Sequence, residues 1–189
     1  MLKNGFLAAV LLLALTTTAM ADGFYGALDI GRSTNKDSCA GVPAGISCSD
    51  AGSAYRIGGG YQITRIWGVE VDYGVLASTK ASLGSLSSEL KPKSLQVVAT
   101  GTFSIANQFS VIGRLGIARN STDYTSSNGL TADSTTSTNL AYGIGAQYDF
   151  SKNMGVRAQY ESVGKITDPT DTSLTYKVSM ISAGLVFKF

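Results

Sequence analysis

The sequence predicts an all-β protein: an eight-stranded, antiparallel, up-and-down barrel built to cross a lipid bilayer. Three observations carry this. Eight segments alternate with period two, the repeat of a strand. Their apolar face has no charge at its middle, while the opposite face holds the charges. Tight turns and long connections alternate along the chain, short on one side and long on the other.

The chain opens MLKNGFLAAVLLLALTTTAMA. Lys3 gives a short basic start, Phe6 to Leu15 an apolar run, and Ala19-Met20-Ala21 a small-x-small cleavage site. This is the pattern of a signal peptide over residues 1–21, leaving a barrel domain over 22–189. The apolar run is too short for a membrane helix, and no cysteine follows the site to carry lipid. An exported chain without anchor helices can still span a membrane as a closed barrel.

The first strand, near 24–33, puts Phe24, Leu28 and Ile30 on one face and Asp29 on the other. A long connection, 34–53, holds the only two cysteines, Cys39 and Cys48. The exported context predicts a disulfide between them. A metal site is the weaker reading, because the chain has no His. Strands near 54–63 and 66–75 are joined by the tight turn ITRI. Tyr55, Ile57, Tyr61, Trp67, Val69, Val71 and Tyr73 share the apolar face, with Arg56, Glu70 and Asp72 opposite. After a long connection, 76–94, strands near 95–104 and 109–119 flank SIANQF. Leu95, Val97, Phe103, Phe109, Leu115 and Ile117 oppose Gln96, Thr100 and Arg114.

The connection 120–139 is mostly Ser, Thr and Asn. Strands near 140–150 and 154–163 flank DFSKNM, with Tyr142, Ile144, Tyr148, Val156 and Tyr160 against Gln147, Asp149, Arg157, Gln159 and Glu161. The last connection is 164–175. The last strand, 176–189, alternates Ile181, Ala183, Leu185, Phe187 and Phe189 with small groups and Lys188. Each segment is near the ~9–11 residues a tilted strand needs to cross a bilayer.

The parity selects the solvent. A soluble ligand-carrying barrel would be apolar inside and polar outside; this pattern is inverted, apolar toward lipid and charged toward the lumen. Aromatic residues gather near both ends of the apolar face, as interfacial girdles do. An even strand count places both termini on the short-turn, periplasmic side. Arg32, Arg119 and Lys177 fall on the outer face at the long-loop ends. They are expected to face lipopolysaccharide phosphates, with simple snorkelling as the alternative. The charges Asp29, Arg56, Glu70, Asp72, Arg114, Arg157 and Glu161 are expected to form a lumen network. It reads either as a gated ion path or as a filled polar core, which a narrow eight-stranded barrel favours.

Other functions find little support. A formal charge of +2 without basic runs gives no case for nucleic acid. Ser is abundant, but a Ser nucleophile needs a base, and the chain has no His. The stretches IGGGY and GIGAQ complete no phosphate-binding pattern. The barrel is expected to be non-enzymatic and free of cofactors.

Three hairpins carry a family resemblance: YRIGGGYQITRIWGVEVDYG, LQVVATGTFSIANQFSVIGRLGIARN and GIGAQYDFSKNMGVRAQYE. They resemble, in order, the hairpins of the outer membrane protein A-type barrel family. The ending GLVFKF, with Phe187 and Phe189, resembles the signal read by the outer-membrane assembly machinery. The resemblance covers residues 22–189. It implies a monomeric barrel in the outer membrane of a Gram-negative bacterium. It also matches Glu70 and Arg157 to a salt-bridge gate, with Arg114 a further interior Arg. The family's alternative gate partners, a Lys and a Glu, correspond here to Thr100 and Gln147. A gate that swaps partners therefore lacks its second set, which leaves Glu70 with Arg114 or Arg157 as a fixed plug.

The expected role is to support envelope integrity and present four loops at the surface. The alternatives are a low-conductance pore and an adhesin or host-factor binder acting through the loops.

Overall fold

A computed structural model describes residues 23–36, 38–39, 47–83, 86–126, 131–167 and 175–189. The segment expected to be a signal peptide lies outside them. Among the described residues there are ten strands and no helix: β1 (Phe24–Lys36), β2 (Ser47–Ser49), β3 (Ala51–Gln62), β4 (Trp67–Val75), β5 (Thr79–Leu83), β6 (Leu86–Ser104), β7 (Phe109–Ser126), β8 (Thr131–Asp149), β9 (Met154–Thr167) and β10 (Thr175–Lys188). All pairings are antiparallel. Eight strands close a ring in the order β1-β3-β4-β6-β7-β8-β9-β10, sealed by β1 against β10 from Tyr25↔Lys188 to Lys36↔Lys177. Closure satisfies the backbone groups that lipid cannot.

The tight turns are set locally. Thr64 Oγ1 accepts from the amides of Ile66 at 3.2 Å and Trp67 at 2.9 Å. Ser151 Oγ likewise accepts from Met154 N at 3.0 Å. Such hydroxyl-to-backbone turns reverse the chain in few residues.

The facing follows the period-two reading. Leu115 is 58 % exposed while Arg114 beside it is 4 % exposed. The same inversion recurs on every barrel strand, so the outer surface is apolar and the charges are inside. Phe24 packs on Tyr61 and Phe109 on Tyr148 near the short-turn end, with ring centroids 5.0 and 4.7 Å apart. Phe189 follows β10, its amide donating to Phe24 O at 3.0 Å and its half-buried ring lying over Gly26.

Two expectations are corrected. The long connections 76–94 and 120–139 are largely strand: β6 starts at Leu86, β7 runs to Ser126 and β8 starts at Thr131. Their inward residues are buried but polar, Ser94, Asn120 and Thr122 each at 1 % exposure, so no apolar alternation marks them. The short strands β2 and β5 are also additions; β2 pairs with β5, and β5 with the upper part of β6. Cys48 lies in β2 and forms a disulfide with Cys39, tying this small sheet to the end of β1.

The second correction concerns the inner face, expected to be charged and polar. Toward the loop end it carries an apolar layer: Ala54, Val98, Ala118, Ala141, Val163, Ile166, Val178 and Met180, joined by Leu76. Gly164 adopts φ of 82°, a left-handed conformation that favours glycine, and marks a bulge against Val178/Ser179. The bulge reverses the alternation of β9, so Lys165 points out and Ile166 points in.

Candidate functional site

The lumen is crossed by one connected set of buried ion pairs. Glu70 on β4 sits at its centre. Its Oε1 accepts from Arg114 Nη1 at 2.6 Å and from Arg157 Nη2 at 3.0 Å. Its Oε2 accepts from Arg157 Nη1 at 3.0 Å and from the Tyr25 hydroxyl at 2.8 Å. Arg157 continues to Asp29, through Nε at 3.0 Å and Nη2 at 2.8 Å. Asp29 also accepts from Arg56 Nε at 3.1 Å and Gln159 Nε2 at 3.2 Å. Arg56 Nη1 reaches Glu161 at 2.9 Å. Arg114 completes the set, with Nη2 on Asp72 at 2.5 Å and Nε 2.9 Å from Glu161 Oε2, the latter off the hydrogen-bonding axis. Each of the seven predicted lumen residues is buried, with exposure between 0 and 4 %.

Glycines on neighbouring strands make room for this set. Gly58 faces Asp72 and Gly184 faces Asp29 across their ladders. A Cβ on either glycine would collide with the carboxylate opposite. The narrow lumen thus lets a charged side chain lie across the adjacent strand only where that strand has no side chain.

Below the network, a cavity of about 300 Å³ opens at the short-turn end. Tyr25, Glu70, Thr100 and Arg157 border it on the network side, and Gln62, Arg65, Gln147 and Asp149 also line it. Lys188 pairs with Asp149 here at 2.7 Å, apart from the central set. Above the network lies the apolar layer.

The outer face at the loop end is basic. Arg32, Arg119 and Lys177 are all exposed there. The ladders add two residues: Lys36 stands opposite Lys177, and Lys177 opposite Lys165. Three lysines thus face outward side by side on β1, β10 and β9, and among the described residues no carboxylate pairs with them. Like charges directly opposite one another are destabilising unless compensated. Arg119 lies apart on β7, opposite Thr138. Lys93, half-buried, pairs with Asp123 at 2.8 Å, and that hydrogen bond and charge raise its pKa.

Sequence reasoning placed Gln159 on the lumen face and missed three contributors. Tyr25 shares the parity of Asp29 and could have been read from it. Lys36 lies beyond the end of the first predicted strand, near 33. Lys165 could have been found only by taking Gly164 as a bulge. Thr100 takes no part in an ion pair but borders the cavity, and Gln147 bonds to Asp149 at 2.8 Å. Glu70 engages Arg114 and Arg157 together rather than one of them.

The sequence matches the family described as outer membrane protein beta-barrel domain over residues 6–189. Solved structures with the same fold include neisserial surface protein A, at 20 % identity and TM-score 0.60, covering 92 % of this chain and 100 % of that one. The N-terminal barrel of Pseudomonas aeruginosa OprF has 14 % identity and TM-score 0.59, covering 89 % and 98 %. The Yersinia pestis attachment invasion locus protein Ail, solved with the heparin analogue sucrose octasulfate, has 20 % identity and TM-score 0.50, covering 87 % and 99 %. No curated protein matches the sequence.

Proposed function

The chain belongs to the outer membrane protein beta-barrel family, a bacterial outer-membrane barrel, and from that premise we propose that it is a sealed, non-enzymatic envelope protein. It would act through its outer surface and loops rather than through its lumen. The observation that carries this reading is the continuous set of buried ion pairs centred on Glu70. Ions crossing the barrel would have to break several charge-assisted bonds at once, each in a poorly hydrated interior. This disfavours the low-conductance pore. A chain with no His also offers no imidazole base for catalysis.

The proposed partner at the outer face is lipopolysaccharide. Phosphate groups above the apolar band would offset the repulsion among Lys36, Lys177 and Lys165, with Arg32 beside them on β1. Phe187 and Phe189 are proposed as the signal recognised by the assembly machinery. A role in surface binding rests on one further observation. The disulfide Cys39–Cys48 holds β2 on the sheet above the barrel, which stiffens the first loop. Ail shares the fold, and its heparin-analogue complex makes a polyanionic glycan the first ligand to try.

Refolded protein in a planar bilayer tests the sealed reading: silence supports it, and discrete conductance steps refute it. Reversal of Lys36, Lys165 and Lys177 to Glu tests the lipid assignment. Folding into vesicles containing lipopolysaccharide should slow severalfold, with no change in phosphatidylcholine alone. Equal rates in both would reject the assignment.

A further inference from the structure

We propose that the segment Leu76–Thr79 is a strap that closes the extracellular mouth of the lumen, positioned by Ser33 and Asn35. The inference rests on the reading of the barrel as sealed and adds a second closure independent of the ion pairs.

After Val75 the chain leaves the wall. Instead of rising with its neighbours it turns inward, and Leu76, Ala77 and Thr79 are buried at 3, 2 and 6 % exposure. It crosses the inner side of β3, where Gly52 lies beside Ala77. It then reaches β1, two strands away from β4. There Ala77 N donates to Ser33 Oγ at 2.6 Å. Asn35 Nδ2 donates to Ala77 O at 3.0 Å and to Thr79 Oγ1 at 2.8 Å. Ser33 and Asn35 are fully buried. At its start, Leu76 N donates to Pro92 O at 3.0 Å.

These contacts form a built device. The apolar layer draws side chains from β3, β6, β7, β8, β9 and β10. Strand β1 contributes none; in its place it offers Ser33 and Asn35, the groups that hold the strap. Leu76 fills the layer from above. The strap's backbone polar groups need partners once it leaves water, and the inward hydroxyl and amide of β1 supply them. An apolar layer this small excludes water, so it blocks ions without any charge.

The test uses thiol access. Both native cysteines are in the disulfide, so an added cysteine is the only free thiol. Ala141→Cys places it in the apolar layer, and Thr136→Cys serves as an exposed control. Intact cells receive a membrane-impermeant maleimide, and gel mobility with and without heating checks that each variant is folded. Ala141→Cys should be labelled at least tenfold more slowly than Thr136→Cys. With Ser33→Ala and Asn35→Ala together, labelling should approach the control. Ser33→Thr, which keeps the hydroxyl, should remain protected. Leu76→Ser is the second variant, removing the stopper while leaving the ties.

Rapid labelling of Ala141→Cys in the otherwise native barrel would overturn the proposal. So would continued protection in both released variants while folded. Bilayer current from the native protein would count against the sealed reading; thiol access judges the strap alone.

Discussion

Glu70→Ala offers the sharpest test of the lumen network. Glu70 is 1 % exposed and accepts from Arg114 Nη1 at 2.6 Å, from two Arg157 nitrogens at 3.0 Å and from Tyr25 at 2.8 Å. Removing one partner of a buried ion pair costs about 3–5 kcal/mol, because the other charge stays buried without compensation. Here both arginines keep other carboxylates, Arg157 on Asp29 and Arg114 on Asp72. The expected loss therefore lies at the lower end, about 3 kcal/mol, a change of roughly 100-fold in the folding equilibrium. Urea unfolding in lipid vesicles would measure it. Trp67 is the only tryptophan and faces lipid at 57 % exposure, so its fluorescence reports withdrawal from the bilayer. Arg157→Ala and the double variant complete a cycle whose coupling should exceed about 0.5 kcal/mol. An unchanged midpoint at unchanged slope, or strict additivity with Arg157→Ala, would refute the reasoning.

Gly58→Ala should destabilise by about 1–3 kcal/mol, since the added methyl meets the Asp72 carboxylate; Asp72→Ala in the same background should recover part of that loss in the same unfolding assay. Replacing Cys39 and Cys48 by Ser removes a cross-link worth about 2–3 kcal/mol to the loop it closes. That cross-link lies outside the barrel, so protease cutting in the first loop should rise while the barrel's heat-dependent mobility is retained. Glu70→Ala should remain silent in a planar bilayer while the strap is in place, and current from this variant alone would mean that charge is the principal barrier.

The wall of the barrel was legible because one face meets lipid and the other a polar lumen. That contrast writes itself into the sequence at period two, as in Trp67–Val75, where large apolar residues alternate with Glu70 and Asp72. The lumen charges were legible for the same reason. Their partners were not: parity says that Glu70 points inward but not how far Arg114 and Arg157 reach across. The apolar layer was obscured because Ala54, Ala118 and Ala141 are too small to stand out among glycines and serines. The strap was read as loop, since a segment that turns inward has neither strand period nor helix period. Toward the loop end the wall lost its signature, because both of its faces are polar: Asn120 and Thr122 point inward and are buried, and Thr136 and Thr138 are exposed. The lysine row depended on one backbone torsion at Gly164, which shifts Lys165 to the outside.

The β1–β10 seam has a consequence for the order of assembly. Its ladder joins the first described strand to the last, so it is the contact with the greatest chain separation and pays the largest loop-closure entropy. Every precursor short of it carries two raw strand edges, which hydrocarbon cannot hydrate. Partly built barrels therefore have no low-energy resting place in the bilayer, and insertion should be a concerted step gated by the arrival of β10. The same topology makes escape slow: once the seam is shut, no single strand can leave without reopening both of its ladders, and the native state should persist kinetically well beyond what its equilibrium stability requires.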